Sequence, residues 1–408
     1  MKQVNIRKFP YPYQAMFSLA NDIDNTSSLQ IFLEMMKLLN TSADTKLGKG
    51  FGLEIGSSFW FYNATPTSQL SYFKGISNTE TSFAPYCRQL WQSGHIDSLH
   101  TYGNFDESGF ERKYAELSLN VLQKHQIQIP TWINHGNENN SQNLGLFNSQ
   151  YGAVPDRITY HFDLAKSYGI RYVWSGKMTH VLGQNSKSTL NVRFKKILQI
   201  LLAYTKYRQL SLKPFDLKNF LLDEIKLQDG NSVWDFQRFI NNWGREQILD
   251  INDLTQQIKP ININRLISNQ GFLVIYTHMC EGLNSLTQFP GELYTALNHI
   301  SQKFQQKKLL VATTSRLLQY SEIINNLEYN SYTENNFDII NIESYIKTLG
   351  EKFKITESFL QGVTFYCQHP GKTKVIFHKK ELEIVQNPKD QTGVPSVSIP
   401  WKQLEYPI

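Results

Sequence analysis

Short apolar runs alternate with longer segments of helical spacing along most of the chain. The run at 14–21 (QAMFSLAN) is typical of a buried strand, and the helix after it has Ser27 or Ser28 placed as a cap. The predicted strands are 14–21, 51–55, 58–61, 127–134, 170–174, 271–278 and 308–314. The predicted helices are 28–39, 109–125, 160–168, 292–306 and 315–327. Such repetition predicts an α/β fold of parallel strands covered by helices, and its length favours a (β/α) barrel over an open sheet.

Two segments do not follow this alternation of predicted strands and helices. Residues 185–260 include a basic run of helical spacing at 192–210, which predicts a helical insertion on the barrel. From about residue 335 the chain has alternating segments separated by Pro, Gly and Asn, typical of a small antiparallel β domain. We therefore predict a distorted barrel domain over 1–330, with the insertion at about 185–260, and a small β domain over 331–408.

Charge and composition narrow the classes of protein. The net charge is +6, but the basic residues are dispersed and often lie beside acids, so nucleic-acid binding is not predicted. No run of about 18 apolar residues occurs, so we expect no transmembrane segment. The three cysteines are far apart without CxxC spacing, and the N-terminus lacks a clean signal sequence, so we expect a cytoplasmic protein. The apolar face of the basic run at 192–210 either covers the barrel or makes a peripheral contact with a membrane surface.

Titratable side chains follow three of the predicted strands where each strand ends. Asp22 and Asp24 follow the strand 14–21, His135 ends PTWINH, and His278 ends GFLVIYTH. In β/α barrels these ends meet at one mouth, where the chemistry takes place. The i, i+2 spacing puts both aspartates on one side of an extended segment, the side that also carries Met16, Ser18 and Ala20. Adjacent acids repel unless a cation or a shared proton relieves them, so this pair indicates either such a site or an Asp-rich helix cap.

Further polar residues suggest metal or sugar binding. In HTYGN, the i, i+4 spacing predicts that His100 and Asn104 share one face of a helical turn, where a divalent metal could take an imidazole nitrogen and an amide oxygen. The loop after His135 is rich in asparagine and suits sugar hydroxyls. The aromatic content of 13% is compatible with sugar stacking or with core filling alone. The candidates for substrate binding, or for an alternative metal ligand, are His135, Asn137, His161 and Trp174.

At these residues the sequence resembles the polysaccharide deacetylases, also called NodB-homology proteins or family four carbohydrate esterases. SLANDID resembles the family's first motif, an aspartate pair after the first strand. HTYGN resembles its H-[ST]-x-x-H motif, with Asn104 in place of the second histidine, and VIYTH resembles its late L-x-H strand end. The family's Arg-x-Pro motif is absent, and TWINHG stands in its place. The resemblance covers roughly residues 10–330.

The resemblance implies a barrel of NodB-homology type and a metal-dependent hydrolase that removes an N- or O-acetyl group from a carbohydrate. In this family pattern Asp22 is the catalytic base and His278 the general acid. A divalent metal, zinc being expected, is held by Asp24, His100 and either Asn104 or His135. The expected substrate is an acetylated, lipid-linked or free precursor of a surface polysaccharide. Two alternatives remain: a related barrel hydrolase that cuts a glycosidic or other C–N bond, and an inactive barrel that only binds glycans.

Overall fold

A curled sheet of nine strands forms the centre of the computed structural model. The model describes residues 4–106, 109–136, 140–146, 150–186, 219–240, 250–283 and 289–407, together with 194, 197, 198, 201, 285 and 286. The strands of this sheet are β1 (Ala15–Asn21), β2 (Gly56–Phe59), β3 (Ile96–His100), β4 (Thr131–Ile133), β5 (Tyr172–Trp174), β6 (Leu222–Lys226), β7 (Ser232–Phe236), β8 (Phe272–Thr277) and β9 (Leu309–Val311). The spatial order is β6-β7-β5-β4-β3-β2-β1-β8, and β9 also pairs with β1. Every pair is parallel except β6 with β7, so the predicted α/β architecture is confirmed as a half-barrel.

Helices connect most of these strands. Ser28, one of the two predicted caps, accepts a hydrogen bond from the Ile31 N–H at the start of the first helix. Asp250 caps a later helix through the N–H groups of Asn252 and Asp253. The helices of the described residues are α1 (Leu29–Asn40), α2 (Ala84–Gln92), α3 (Arg112–Lys124), α4 (Phe162–Tyr168), α5 (Ile251–Gln257), α6 (Pro260–Asn269), α7 (Gly291–Gln305) and α8 (Thr314–Asn326). Short 3₁₀ turns lie at Tyr151–Ala153, Glu357–Leu360 and Pro370–Lys372.

Alternate side chains of β1 face opposite layers, as the sequence pattern predicts. Phe17 and Leu19 belong to a large hydrophobic cluster that includes the buried side of α1. Met16 belongs to a second hydrophobic cluster inside the sheet, and Ala20 packs against Tyr276 from β8. The buried core of the second hydrophobic cluster includes Met16, Phe236, Val274, Leu310, Ile340, Phe365 and Val397. This alternation points the inner residues that follow β1 towards the mouth of the half-barrel.

The C-terminal region consists mainly of antiparallel strands, and it differs from the predicted small β domain in two respects. Phe337–Ile342 pairs in parallel with Thr373–Phe377, and the N-terminal strand Asn5–Ile6 joins the C-terminal sheet beside Thr364–Tyr366. The other strands of this region are Tyr329–Glu334, Tyr345–Thr348, Glu351–Lys354, Lys380–Glu381, Val385–Asn387 and Ser396–Ser398. Short paired strands elsewhere are Asp44–Thr45, Gly48–Lys49, Tyr62–Asn63, Gly103–Asn104, Met178–Thr179 and Arg238–Phe239. The division into domains at residue 330 stays a prediction.

The described part of the predicted insertion contributes strands to the central sheet. β6 and β7 form a hairpin, and β7 pairs in parallel with β5. Most of the basic run at 192–210 lies outside the described residues. Its described positions, Phe194, Ile197, Leu198 and Leu201, are helical and exposed. Within the described ranges, no helix is both long enough and apolar enough to span a bilayer.

Candidate active site

The candidate residues lie at or just after the carboxyl ends of four parallel strands, and they line one cavity. Asp22 and Asp24 follow β1, and His100 is the last residue of β3. His135 lies two residues after β4, and His278 directly follows β8. Because parallel strands end at the same edge, these side chains converge on a cavity of about 360 Å³ at the mouth of the half-barrel.

Asp24 is the centre of this group. Its Oδ2 lies 3.0 Å from Nε2 of His100 and 3.0 Å from Nε2 of His278. Its Oδ1 lies 3.2 Å from Nε2 of His135. One buried carboxylate therefore faces three imidazole nitrogens from three different strand ends.

Two of these imidazoles are held from behind by carboxylates. Nδ1 of His135 lies 3.1 Å from Asp106, and Nδ1 of His278 lies 2.8 Å from Glu281. A carboxylate on the far nitrogen of an imidazole fixes its tautomer and orientation, an arrangement typical of metal-binding histidines. The buried Nδ1 of His100 has no hydrogen-bond partner among the described residues.

Asp22 is paired with a different cation. Arg238, which follows β7, contacts its carboxylate through Nη1 at 2.7 Å and Nη2 at 3.3 Å, and the two side chains are 1% and 0% exposed. The guanidinium carbon lies 4.2 Å from the ring centre of Trp174 and 4.3 Å from that of Tyr276. These rings fix the guanidinium in place, so the orientation of the Asp22 carboxylate is fixed as well.

The charges in this cluster shift its ionisation strongly. Burial raises the pKa of Asp24, but the charges of His100 and His135 outweigh burial and hold that pKa well below its usual range. Burial lowers the pKa of His135, but the charges and hydrogen bonds of Asp24 and Asp106 raise it to about 10. Burial also lowers the pKa of His278, and hydrogen bonds to Asp24 and Glu281 raise it to about 10. In the metal-free protein, protons on these imidazoles balance the Asp24 charge.

Two groups of described side chains could hold a metal ion. One is Asp24, His100 and His135, and the other is Asp22, Asp24 and His278; within each group the ligand atoms lie within 4.8 Å of one another. The guanidinium of Arg238 already contacts both oxygens of Asp22, which disfavours a second positive charge at the latter group. Two imidazoles and one carboxylate, with Asp106 behind His135, suit zinc or a similar ion with an open coordination position.

Asn104 and its neighbours differ from the sequence prediction. The predicted helical turn is wrong, because His100 ends a strand, Thr101 has a left-handed φ of 51°, and Gly103–Asn104 is a short strand. Asn104 lines the cavity, where its Nδ2 donates to Thr65 at 3.3 Å and its buried Oδ1 has no hydrogen-bond partner among the described residues. Among the described residues, the third side chain that contacts Asp24, after His100 and His278, is His135.

The other predicted binding residues do not all lie at the cavity. Trp174 lines the cavity, and its ring packs 5.0 Å from that of Tyr276. His161 is fully buried away from the cavity lining, and its Nε2 donates to the carbonyl of Gln142, so the prediction of a substrate contact there is wrong. The aromatic packing around His161 excludes water, and this burial lowers its pKa to about 4. Asn137 lies outside the described residues.

Four residues of the site were missed by the sequence reasoning. Tyr276 had a usable signal, because it lies two residues before His278 on an alternating strand and so shares its face. Glu281 lies three residues after His278, within reach of its ring. Asp106 and Arg238 carry no such local signal, since the fold alone brings them to His135 and Asp22.

Comparisons with known proteins do not identify a family for the chain. A scan against protein-family models, a search of curated proteins and a search of solved structures each found no match to the chain.

Proposed function

We propose that this protein is a metal-dependent hydrolase that removes an acetyl or other acyl group from a carbohydrate. The observation that carries the proposal is the cluster around Asp24, with its three imidazole nitrogens at 3.0–3.2 Å and Asp22 beside it in the same cavity. The cluster combines a metal-ligand set with a separate carboxylate and a separate imidazole. Hydrolysis of an ester or amide needs these three elements: an electrophile, a base and an acid.

Asp24, His100 and His135 would hold the metal. A divalent ion bound there supplies positive charge that polarises the acyl carbonyl and eases deprotonation of water. The Asp106 carboxylate lies 3.1 Å from Nδ1 of His135, and its negative charge favours a proton on that nitrogen, which leaves Nε2 available as a ligand.

Asp22 and His278 divide the proton transfers between them. Asp22 accepts the proton of the attacking water through a carboxylate that Arg238 holds in one orientation. His278 donates a proton from Nε2 to the departing nitrogen or oxygen of the sugar. Glu281 accepts from Nδ1 of His278 and thereby directs Nε2 towards the reacting group.

The cavity lining supports an uncharged, hydroxyl-rich substrate. Trp174 supplies an aromatic face, and amide side chains line the cavity beside it. None of the described lining residues is Lys or Arg, so outside the histidine cluster a phosphate or carboxylate on the substrate would lack a cationic side chain to pair with. These amides are Asn25, Gln69, Asn104 and Asn134. The sequence resemblance to polysaccharide deacetylases supports the acetyl group as the one removed and a surface-polysaccharide precursor as its carrier.

Acetate release by the zinc-loaded protein tests this proposal. N-acetylglucosamine oligomers and O-acetylated oligosaccharides are suitable probes, with one divalent ion per chain measured by elemental analysis. Asp22→Asn and His278→Ala should each lower kcat by about 100-fold or more while retaining the metal. Asp24→Asn and His135→Ala should lose the metal, and the exposed Asp156→Asn serves as the control with unchanged activity.

The possible outcomes separate the proposal from its alternatives. Full acetate release by Asp22→Asn would contradict the assigned base. A shortened glycan without acetate would indicate a related hydrolase that cuts the sugar chain. Sugar binding without any reaction in the metal-loaded protein would indicate a glycan-binding barrel.

A further inference from the structure

Tyr276 occupies an inner position of β8 at the level of the cavity. Along β8, Leu273 and Ile275 face the large hydrophobic cluster with the helices, whereas Val274 faces the interior of the sheet. Tyr276 is the next inward-facing residue of β8 after Val274, and it pairs with Ala20 of β1. The small side chain of Ala20 leaves room beside β1 for the phenol ring.

The ring of Tyr276 is fixed by its neighbours. Trp174 packs at 5.0 Å between ring centres, and the guanidinium of Arg238 lies 4.3 Å from the phenol centre. Arg238 is itself fixed by its two contacts to Asp22. Tyr276 therefore holds a set position relative to the carboxylate that we propose as the base.

The hydroxyl of Tyr276 is a donor for which the described residues provide no acceptor. It makes no hydrogen bond to any described residue, and Tyr276 is 6% exposed and lines the cavity. A fixed phenol without a protein partner at a cavity wall suits an acceptor on a ligand, because a ligand that displaces water from the wall leaves this donor unpaired unless it accepts from it.

We propose that the Tyr276 hydroxyl donates a hydrogen bond to the acyl oxygen of the substrate and stabilises the negative charge that forms there. This inference rests on the proposed function. When water adds to the acyl carbon, the C=O electron pair moves onto oxygen, and the water proton passes to Asp22. The oxygen then carries the charge that a neutral phenol donor stabilises without itself losing a proton. When the C=O re-forms, the bond to the sugar nitrogen or oxygen breaks, and that atom takes the proton of His278.

Tyr276→Phe tests the hydroxyl alone, because phenylalanine keeps the ring against Trp174 and Arg238. We expect kcat to fall by about 100-fold with KM changed by less than about three-fold, since the bond strengthens as charge develops. Metal content and Tm should match those of the wild type. Tyr320→Phe is the matched control: its hydroxyl is also unpartnered but lies buried in the second hydrophobic cluster, and kcat should stay unchanged.

The outcomes distinguish this proposal from the function on which it rests. An active wild type with an equally active Tyr276→Phe overturns the role of the hydroxyl and leaves the proposed hydrolase intact. A raised KM at constant kcat also overturns it, because the hydroxyl then contributes to ground-state binding alone. A metal-loaded wild type that releases no acyl group from any probe overturns both.

Discussion

Replacing Arg238 with methionine should destabilise the protein by about 3–5 kcal/mol, because it leaves the Asp22 carboxylate buried without its cation. The two side chains are 0% and 1% exposed and make two contacts, at 2.7 and 3.3 Å. Both carboxylate oxygens therefore lose their guanidinium contact when Arg238 is replaced. Methionine retains much of the apolar volume between Trp174 and Tyr276, so the loss reports mainly on charge.

A double-mutant cycle isolates the pair. Asp22→Asn removes the buried charge, so the double variant with Arg238→Met should recover about 2–3 kcal/mol relative to the sum of the single changes. The assay is urea unfolding of the metal-free protein, with the free energy of unfolding extrapolated to water.

An exposed ion pair gives the comparison. Lys374 and Glu381 lie at a similar distance, 2.8 Å, but their side chains are 34% and 55% exposed. Lys374→Met should therefore cost at most about 1 kcal/mol. An Arg238→Met variant that loses less than about 1 kcal/mol, or a strictly additive cycle, would show that the buried ion pair does not carry this stabilisation.

Three further predictions concern the surroundings of His135. Asp106→Asn should weaken zinc affinity by about 10–100-fold, measured by competition with a chromophoric chelator, because His135 loses the carboxylate on Nδ1; an unchanged affinity would contradict that orienting role. The surrounding carboxylates raise the pKa of His135 to about 10 in the metal-free protein, against about 6.5 when unfolded, so a metal ion that takes His135 as a ligand would have to displace its proton. Zinc affinity should therefore rise with pH, with about one proton released per ion by His135 in titration calorimetry at pH 7; no proton release would argue against His135 as a ligand. The same raised pKa stabilises the metal-free fold fully below about pH 6.5, and that contribution is lost as pH rises through about 10.

Buried strands were predictable from the sequence where the apolar run was continuous. The runs at 14–21 and 271–278 match β1 and β8 closely, because both faces of these strands are covered. The prediction of a strand at 51–55 is wrong. The segment is buried, but its backbone N–H groups donate to carbonyls at the end of α1. Glu54 lies inside it with 0% exposure, and Arg316 at 2.6 Å balances its charge. Apolar content alone does not distinguish a strand from a segment that covers a helix end.

The candidate site was predictable only as far as strand ends reveal it. Asp22, Asp24, His135 and His278 follow from their positions after apolar runs, and the structure brings all four to one cavity. Arg238 could not be found this way, because it is 216 residues from Asp22 along the chain and lies in a segment that looked like an insertion.

The prediction of a helical turn after His100 is wrong for a different reason. Spacing alone suggested a helical turn, but Thr101 adopts a left-handed conformation and its N–H donates to the carbonyl of Ile133. That contact ties the end of β3 to the end of β4 and brings His100 near His135. A tertiary hydrogen bond, invisible in the sequence, thus overrides the local spacing.

The second hydrophobic cluster determines how a substrate can reach the cavity. It fills the end of the half-barrel remote from the cavity, where Met16 and Leu310 pack with C-terminal residues such as Ile340 and Phe365. Within the described part of the chain, the site is consequently a blind pocket and not a tunnel. A polymer cannot thread through it, so a long glycan, the substrate class that we propose, would either insert one end or lie across the mouth.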